Sequence, residues 1–245
     1  MSNLVIVRHG LTQWTKRFTG WTDIDLAPEG IEMTKKYALR LEEKNYRFDY
    51  GYTSVLKRAY KTLEIVLQVI EQTNIPIIRD WHLNERHYGA LQGEEKPAMV
   101  KKYGEEQVNL WRRSWDVPPP ALDHNDPRHP RFDEKYKDIP EEMLPASESL
   151  KNTYQRVIPY FQQEIEPKLK EGKNILLSAH SNSLRALIKY LDHLNEEEII
   201  KVNVPYCIPL VYQFDQSAKP INRFYLATNE EVNQIINQIK NQTKN

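Results

Sequence analysis

Short apolar runs and helical stripes alternate along most of this chain. Residues 4–7 (Leu-Val-Ile-Val) form an apolar, β-branched run that stops at Arg8-His9-Gly10, which predicts a buried strand. Pro28-Glu29 opens a helical pattern through Leu41, with the proline in the first turn, where its missing N–H is harmless. Residues 49–53 predict a second strand. Between Val55 and Ile70, Leu56, Ala59, Leu63, Val66, Leu67 and Ile70 form a helical stripe. Two further helices are predicted over 95–103 and 105–115, with Trp111 and Trp115 reading as core. Helix resumes from Ser147-x-x-Leu150 onwards, runs to about Leu169 with a bend or interruption near Pro159, and the region ends at Gly172-Lys173. Residues 174–179 predict another buried strand, closed by His180, with a helix over 182–191 behind it. Strands over 208–214 and 221–226 complete the pattern.

Strands alternating with helices predict an α/β fold with a mostly parallel sheet covered on both faces. Ligands of such sheets bind beyond the carboxyl ends of the strands. His9 and His180 both occupy that place, so two distant parts of the chain could face one crevice. Residues 1–228 read as one domain, with an inserted loop at about 116–146. That loop holds seven prolines, including Pro118-Pro119-Pro120, and reads as an inserted lid. Residues 229–245 form a separate tail, where Val232, Ile235, Ile236 and Ile239 make a short amphipathic pattern.

Composition narrows the partners. The chain has 245 residues, with 34 basic and 34 acidic, so its formal net charge is zero. Zero net charge argues against generic attraction to nucleic acid or membranes, though a local basic pocket stays possible. Cys207 is the single cysteine, so no disulfide can form within the chain, and it reads as a small buried hydrophobe. The first residues carry no charged signal region, and the apolar run at 4–7 is too short for a membrane span. The expectation is a cytoplasmic globular protein.

The chemistry follows from what is missing and what remains. There is no phosphate-binding Gly-x-x-x-x-Gly-Lys-Ser/Thr loop, no Gly-x-Ser-x-Gly elbow, and no His or Cys spacing suited to zinc. No metal is expected. Histidine does recur beside arginine, in Arg8-His9, in Arg86-His87, and in His180 with Arg185 a helical turn away. Guanidinium grips phosphate oxygens in pairs, and a neutral imidazole can hold a phosphoryl group covalently. Several guanidiniums can then stabilise phosphoryl transfer without a metal. Glu85, in a polar stretch with Gly89 and Gly93, is placed to move protons. Each basic dipeptide alone is more often a solvated or structural feature.

Together these segments resemble the cofactor-dependent phosphoglycerate mutases of the histidine phosphatase superfamily, from about Leu4 to Leu226. The resemblance rests on Val7-Arg8-His9-Gly10, Phe18-Thr19-Gly20-Trp21, Thr53 through Ala59, Leu83 through Gly93, Leu110 through Arg113, Asn182 through Ala186, and Ile208 through Tyr212. It implies a three-layer α/β/α sandwich and interconversion of 3- and 2-phosphoglycerate in glycolysis and gluconeogenesis, primed by 2,3-bisphosphoglycerate and needing no metal. It implies His9 as the phosphorylated nucleophile and Glu85 as general acid and base, with Arg8, Arg58 and His180 around the transferring group. Substrate contacts are implied for Thr12, Thr15, Thr19, Gly20, Arg86, Tyr88, Lys96, Arg112, Arg113, Ser181 and Asn182. The implied partners are small phosphorylated three-carbon acids and further copies of the chain, as a dimer or tetramer. For the tail, resemblance suggests closure over the pocket, against a frayed terminal helix; both stay open.

Some positions depart from the family pattern. Leu11, Thr12 and Thr15 replace its Glu, Ser and Asn, and the stretch from Thr15 to Phe18 is two residues shorter. Ser181 stands where the family has glycine, which would cost about 1–2 kcal/mol if that backbone were left-handed. Tyr206-Cys207 stands where Thr-Gly is expected. A site that retains the bisphosphorylated intermediate poorly would act as a phosphatase on phosphoglycerates or another small phosphorylated metabolite, which is the alternative reading.

Overall fold

The structure is a computed structural model that describes residues 1–243. Its centre is one six-stranded sheet. In chain order the strands are β1 (Ser2–Arg8), β2 (Tyr50–Thr53), β3 (Ile77–Arg79), β4 (Ile175–Ala179), β5 (Leu210–Phe214) and β6 (Pro220–Tyr225). Their spatial order is β3-β2-β4-β1-β5-β6. The first four in that order run parallel, and β5 pairs antiparallel with both β1 and β6. The expected α/β/α architecture with a mostly parallel sheet is therefore present.

Alternation along β1 explains the layers. Leu4 and Ile6 point into one core, while Val5 and Val7 point into the other. The Val5 side is covered by α1 (Pro28–Glu43) and α2 (Lys57–Val69), through Ala38, Leu41, Leu63, Val66 and Leu67. After α3 (Lys96–Tyr103) and α4 (Glu105–Arg113), the chain returns to cover the Leu4 side. That layer comprises α5 (Leu150–Tyr160), α6 (Glu166–Lys170), α7 (Ser181–Leu191) and α8 (Glu196–Lys201). The bend expected near Pro159 is a wide π turn over Phe161–Ile165, directly after the proline. Both strand runs that lead into a histidine are buried on two faces, as their largely apolar sequences, Leu4–Val7 and Ile175–Leu177, require.

The proline-rich segment, about 116–146, folds down instead of arching over. Its Tyr136 and Leu144 pack with Trp21, and Pro120 O accepts from Ala90 N at 2.8 Å. The lid reading is corrected on this point: the segment buttresses the Gly89–Leu91 turn, and among the described residues none of it lines the central cleft. The tail becomes α9 (Asn229–Lys240), which begins with a Thr228–Glu231 capping box. Arg40 of α1 grips Glu231 with both terminal nitrogens, at 2.9 and 2.6 Å. Val232, Ile235 and Ile239 pack against Tyr37, Tyr206 and Ile208, so the helix is docked and not frayed. The last two residues of the predicted tail lie outside the described residues.

Candidate active site

Sheet register brings the two histidines together. Arg8 of β1 pairs with Ala179 of β4, so the next residue on each strand is a histidine at the same edge. His9 N donates to Ala179 O at 3.0 Å, and the two imidazole centroids lie 5.1 Å apart. His9 Nδ1 lies 2.7 Å from Gly10 O. A carbonyl only accepts, so Nδ1 carries the proton and the Nε2 lone pair stays free. Burial, then the charges of Arg58 and Arg8, lower the His9 pKa well below its ordinary value. The ring is therefore a neutral potential nucleophile at pH 7.

The turn from β2 into α2 contributes Arg58. Its guanidinium is fully buried and donates to Gly20 O at 2.7 Å and Thr22 O at 2.9 Å. Gly20 has φ +53°, and a Cβ there would collide with Gln92 Oε1, so only glycine presents this carbonyl without strain. Burial lowers Arg58 to about 10.

Glu85 enters from the polar stretch after β3. Its Oε1 accepts from Arg86 N (2.9 Å), Asn182 N (3.0 Å) and Asn182 Nδ2 (3.0 Å). Its backbone carbonyl is clamped by Trp21 Nε1 at 2.6 Å and Arg156 at 2.9 Å. Arg156 also holds His82 O and is paired with buried Glu148, whose Oε2 accepts from His87 N. One buried ion pair thus fixes both flanks of Glu85. Arg156→Ala is expected to lower stability by about 3–5 kcal/mol, because it strands the Glu148 charge. Urea unfolding of the two proteins measures it; coincident midpoints would show that the clamp bears no load.

Around these groups lies one cleft. Its lining carries Arg8, Arg17, Arg58, Lys96, Arg112, Arg113 and Arg185, seven cations against the single carboxylate of Glu85. Burial lowers Arg113 to about 10, Arg185 to about 9 and Lys96 to about 7. Crowding cations with so little counter-charge is costly unless a polyanion completes the site. Among the described residues no group of three or more His, Cys, Asp or Glu side chains is placed to hold a metal ion.

Of the residues singled out in the sequence, Thr12, Thr19, Gly20, Tyr88, Lys96, Arg112, Arg113, Ser181 and Asn182 line the cleft with Arg8, His9, Arg58 and Glu85. His180 is fully buried just behind His9. Two others stand back. The Thr15 side chain faces solvent, and only its carbonyl reaches inward, to Lys96 Nζ at 3.1 Å. Arg86 lies beneath Tyr88 and donates to Tyr88 Oη and Arg112 O. Sequence reasoning missed Trp14, Arg17, Phe18 and Gln242 as lining residues; Arg185, singled out beside His180, Tyr206, noted as a departure, and Ile239, part of the tail pattern, also line the cleft. Gln242 bridges Lys96 Nζ (2.9 Å) to Tyr206 Oη (3.2 Å), so the end of the chain closes one wall. Tyr206 also lies 3.7 Å under the Arg8 guanidinium. Ser181 opens α7 in ordinary helical geometry and carries no strain. The left-handed position is Cys207 instead, at φ +61°, with its Sγ 3.4 Å from Thr34 Oγ1.

A parallel sheet edge bearing two histidines in a cationic cleft is suited to holding phosphorylated anions beside an imidazole. The chain belongs to the histidine phosphatase superfamily (branch 1), whose family model matches residues 4–127. It is 48% identical, over 96% of its length and 95% of the relative's, to a 2,3-bisphosphoglycerate-dependent phosphoglycerate mutase of Hamiltonella defensa subsp. Acyrthosiphon pisum (strain 5AT). Its fold is similar to that of Bacillus stearothermophilus YhfR, with TM-score 0.67 and 20% identity over 90% of this chain and 94% of that one. It is likewise similar to a mycobacterial glucosyl-3-phosphoglycerate phosphatase, with TM-score 0.66 and 20% identity over 91% and 96%.

Proposed function

We propose that this chain is a phosphoglycerate mutase that interconverts 3- and 2-phosphoglycerate through a phosphohistidine at His9. The observation that carries this reading is the 48% identity to the Hamiltonella mutase along nearly the whole of both chains. The cleft's seven cations and single carboxylate agree with it. When bound, 2,3-bisphosphoglycerate supplies the phosphoryl group that primes His9. The lining suits such a group: a triply or more highly charged anion needs several fixed cations, and each charge-assisted hydrogen bond contributes roughly 1.5–3 kcal/mol.

In the proposed cycle Glu85 accepts the proton of the 2-hydroxyl of 3-phosphoglycerate. That oxygen then attacks phosphorus, and the P–N bond to His9 Nε2 breaks. After the acid turns over, Nε2 attacks the other phosphorus, and Glu85 returns the proton to the departing oxygen. Arg8, Arg58 and His180 surround the moving phosphoryl group and take up its charge. Thr12, Thr19, Gly20, Tyr88, Lys96, Arg112, Arg113, Ser181 and Asn182 bind the acid, with Arg86 supporting Tyr88 and Thr15 supporting Lys96 through its carbonyl. Ile239 and Gln242 close the cleft while the intermediate turns. No described helix is long and apolar enough to cross a membrane; a cytoplasmic location and a homodimer or homotetramer belong to the proposal.

The test is 2-phosphoglycerate formation from 3-phosphoglycerate in EDTA, with and without 2,3-bisphosphoglycerate, with phosphate release followed in parallel. Isomerisation that depends on the bisphosphate and survives EDTA is expected. Phosphate release without isomerisation would overturn the mutase reading in favour of a phosphatase.

A further inference from the structure

The β2–α2 turn that delivers Arg58 also delivers Ser54, a residue not yet given a part. Ser54 and His180 are both without solvent exposure, and Ser54 Oγ lies 2.7 Å from His180 Nε2. The same oxygen accepts the backbone N–H of Leu56 at 3.2 Å. Among the described residues the Ser54 hydroxyl has no other hydrogen-bond acceptor, so its own hydrogen goes to His180 Nε2. A neutral imidazole has one donor nitrogen and one acceptor. With Nε2 accepting, the proton must sit on Nδ1. His180 Nδ1 is the ring's buried atom without a partner, on the ring next to His9.

We infer that Ser54 is a positioning residue that fixes the tautomer and orientation of His180, leaving Nδ1–H as a donor for a phosphoryl oxygen on His9. His180 is kept neutral by burial first, then by Arg58 and His9. It would therefore stabilise the group by a directed hydrogen bond and not as a cation. Without the Ser54 hydroxyl, Nε2 would lose its donor, and the proton would be free to move to either nitrogen. The inference rests on the proposed role of His180 beside the phosphoryl group, and the experiment separates the two.

Imidazole 15N spectra of the histidine-labelled wild-type protein read the tautomer directly and need no variant. The His180 pair should show a protonated Nδ1 and an unprotonated Nε2; the opposite assignment would overturn the inference. In Ser54→Ala the pair should shift toward the other tautomer. Its kcat should fall by roughly 10- to 100-fold with KM within about threefold, and Ser54→Thr, which keeps the hydroxyl, should recover most of the loss. An unchanged tautomer in Ser54→Ala, or a changed tautomer with unchanged kcat, would sink it. His180→Ala tests the underlying role alone: wild-type kcat there would remove that role whatever Ser54 does.

Discussion

His9→Ala is expected to lose isomerisation by on the order of 10⁴-fold or more and to take up no phosphoryl group, while its fold persists. No other group can replace this imidazole. Its neighbour His180 has no exposed surface, and its Nε2 is already occupied by Ser54. His9 has the opposite arrangement: Nδ1 donates to Gly10 O, and Nε2 remains open in the cleft. Radiolabelled 2,3-bisphosphoglycerate provides the measurement. The wild-type chain should retain one acid-labile, base-stable phosphate, and His9→Ala none. Label on His9→Ala would place the covalent step elsewhere. Protonation of His9 should cost no rate as pH falls from 7.5 to 6.5, because burial, Arg58 and Arg8 hold its pKa well below the ordinary value, and any change there belongs to Lys96, lowered to about 7.

The two strands that carry this chemistry were legible because each holds a short apolar run followed within a few residues by a histidine. Their adjacency was not, since residues 9 and 180 are joined only by the β1–β4 register. Helices with a clear apolar stripe and a start signal, such as α1 and α7, were read to within two residues. Strand β3 was missed: with three residues at the sheet edge and an exposed Ile77, it has too little burial to leave a pattern. Helix α8 was missed although Asn195 and Glu198 form a capping box three residues apart, a signal open to a closer reading. The lid reading failed because prolines mark a structured loop without saying which way it folds; Tyr136 and Leu144 turn it inward onto Trp21. At the site, motif residues were found and walls were missed. Gln242 reaches the cleft because α9 docks on α1 through Arg40 and Glu231, a contact spanning 191 positions, and Tyr206 because its backbone bridges Arg8 at the end of β1. Whether Ser181 needed a left-handed backbone was open in the sequence for a similar reason; the backbone there is ordinary, and the left-handed position falls at Cys207, where β5 is approached.

The neutrality that keeps His9 reactive should also make the protein acid-sensitive. His9, His87 and His180 are each buried with their pKa lowered, in every case by burial first, and His87 falls to about 3. His87 has its Nδ1 accepting from Gly89 N at 3.0 Å and its Nε2 unpartnered, so its interior has nothing to welcome a charge. In the unfolded chain all three would titrate near pH 6.5. Below that pH the unfolded state takes up protons that the folded state refuses, so stability falls as pH falls, down to the folded pKa. His87 contributes a slope of about 1.4 kcal/mol per pH unit in that window, and His9, His180 and the similarly lowered His129 add slopes of the same sign. By pH 5 the loss accumulated at His87 alone is about 2 kcal/mol, a large share of the whole stability of an ordinary domain, about 5–15 kcal/mol, and His9 and His180 add losses of the same sign. Carboxylates such as the partly buried Glu231, lowered to about 2 by Arg40, lose their contribution only below the usual carboxylate range, and Lys96, lowered to about 7, adds slope only at and above about pH 7, so the interval from 6.5 to 5 belongs to the histidines. Urea unfolding of the unliganded protein at intervals from pH 7.5 to 5 gives the slope, and His87→Gln should reduce it by about 1.4 kcal/mol per pH unit whatever it does to the absolute stability. A flat profile between pH 6 and 5 would mean that these imidazoles accept protons in the folded state. His9 would then spend part of its time as a cation that cannot attack phosphorus.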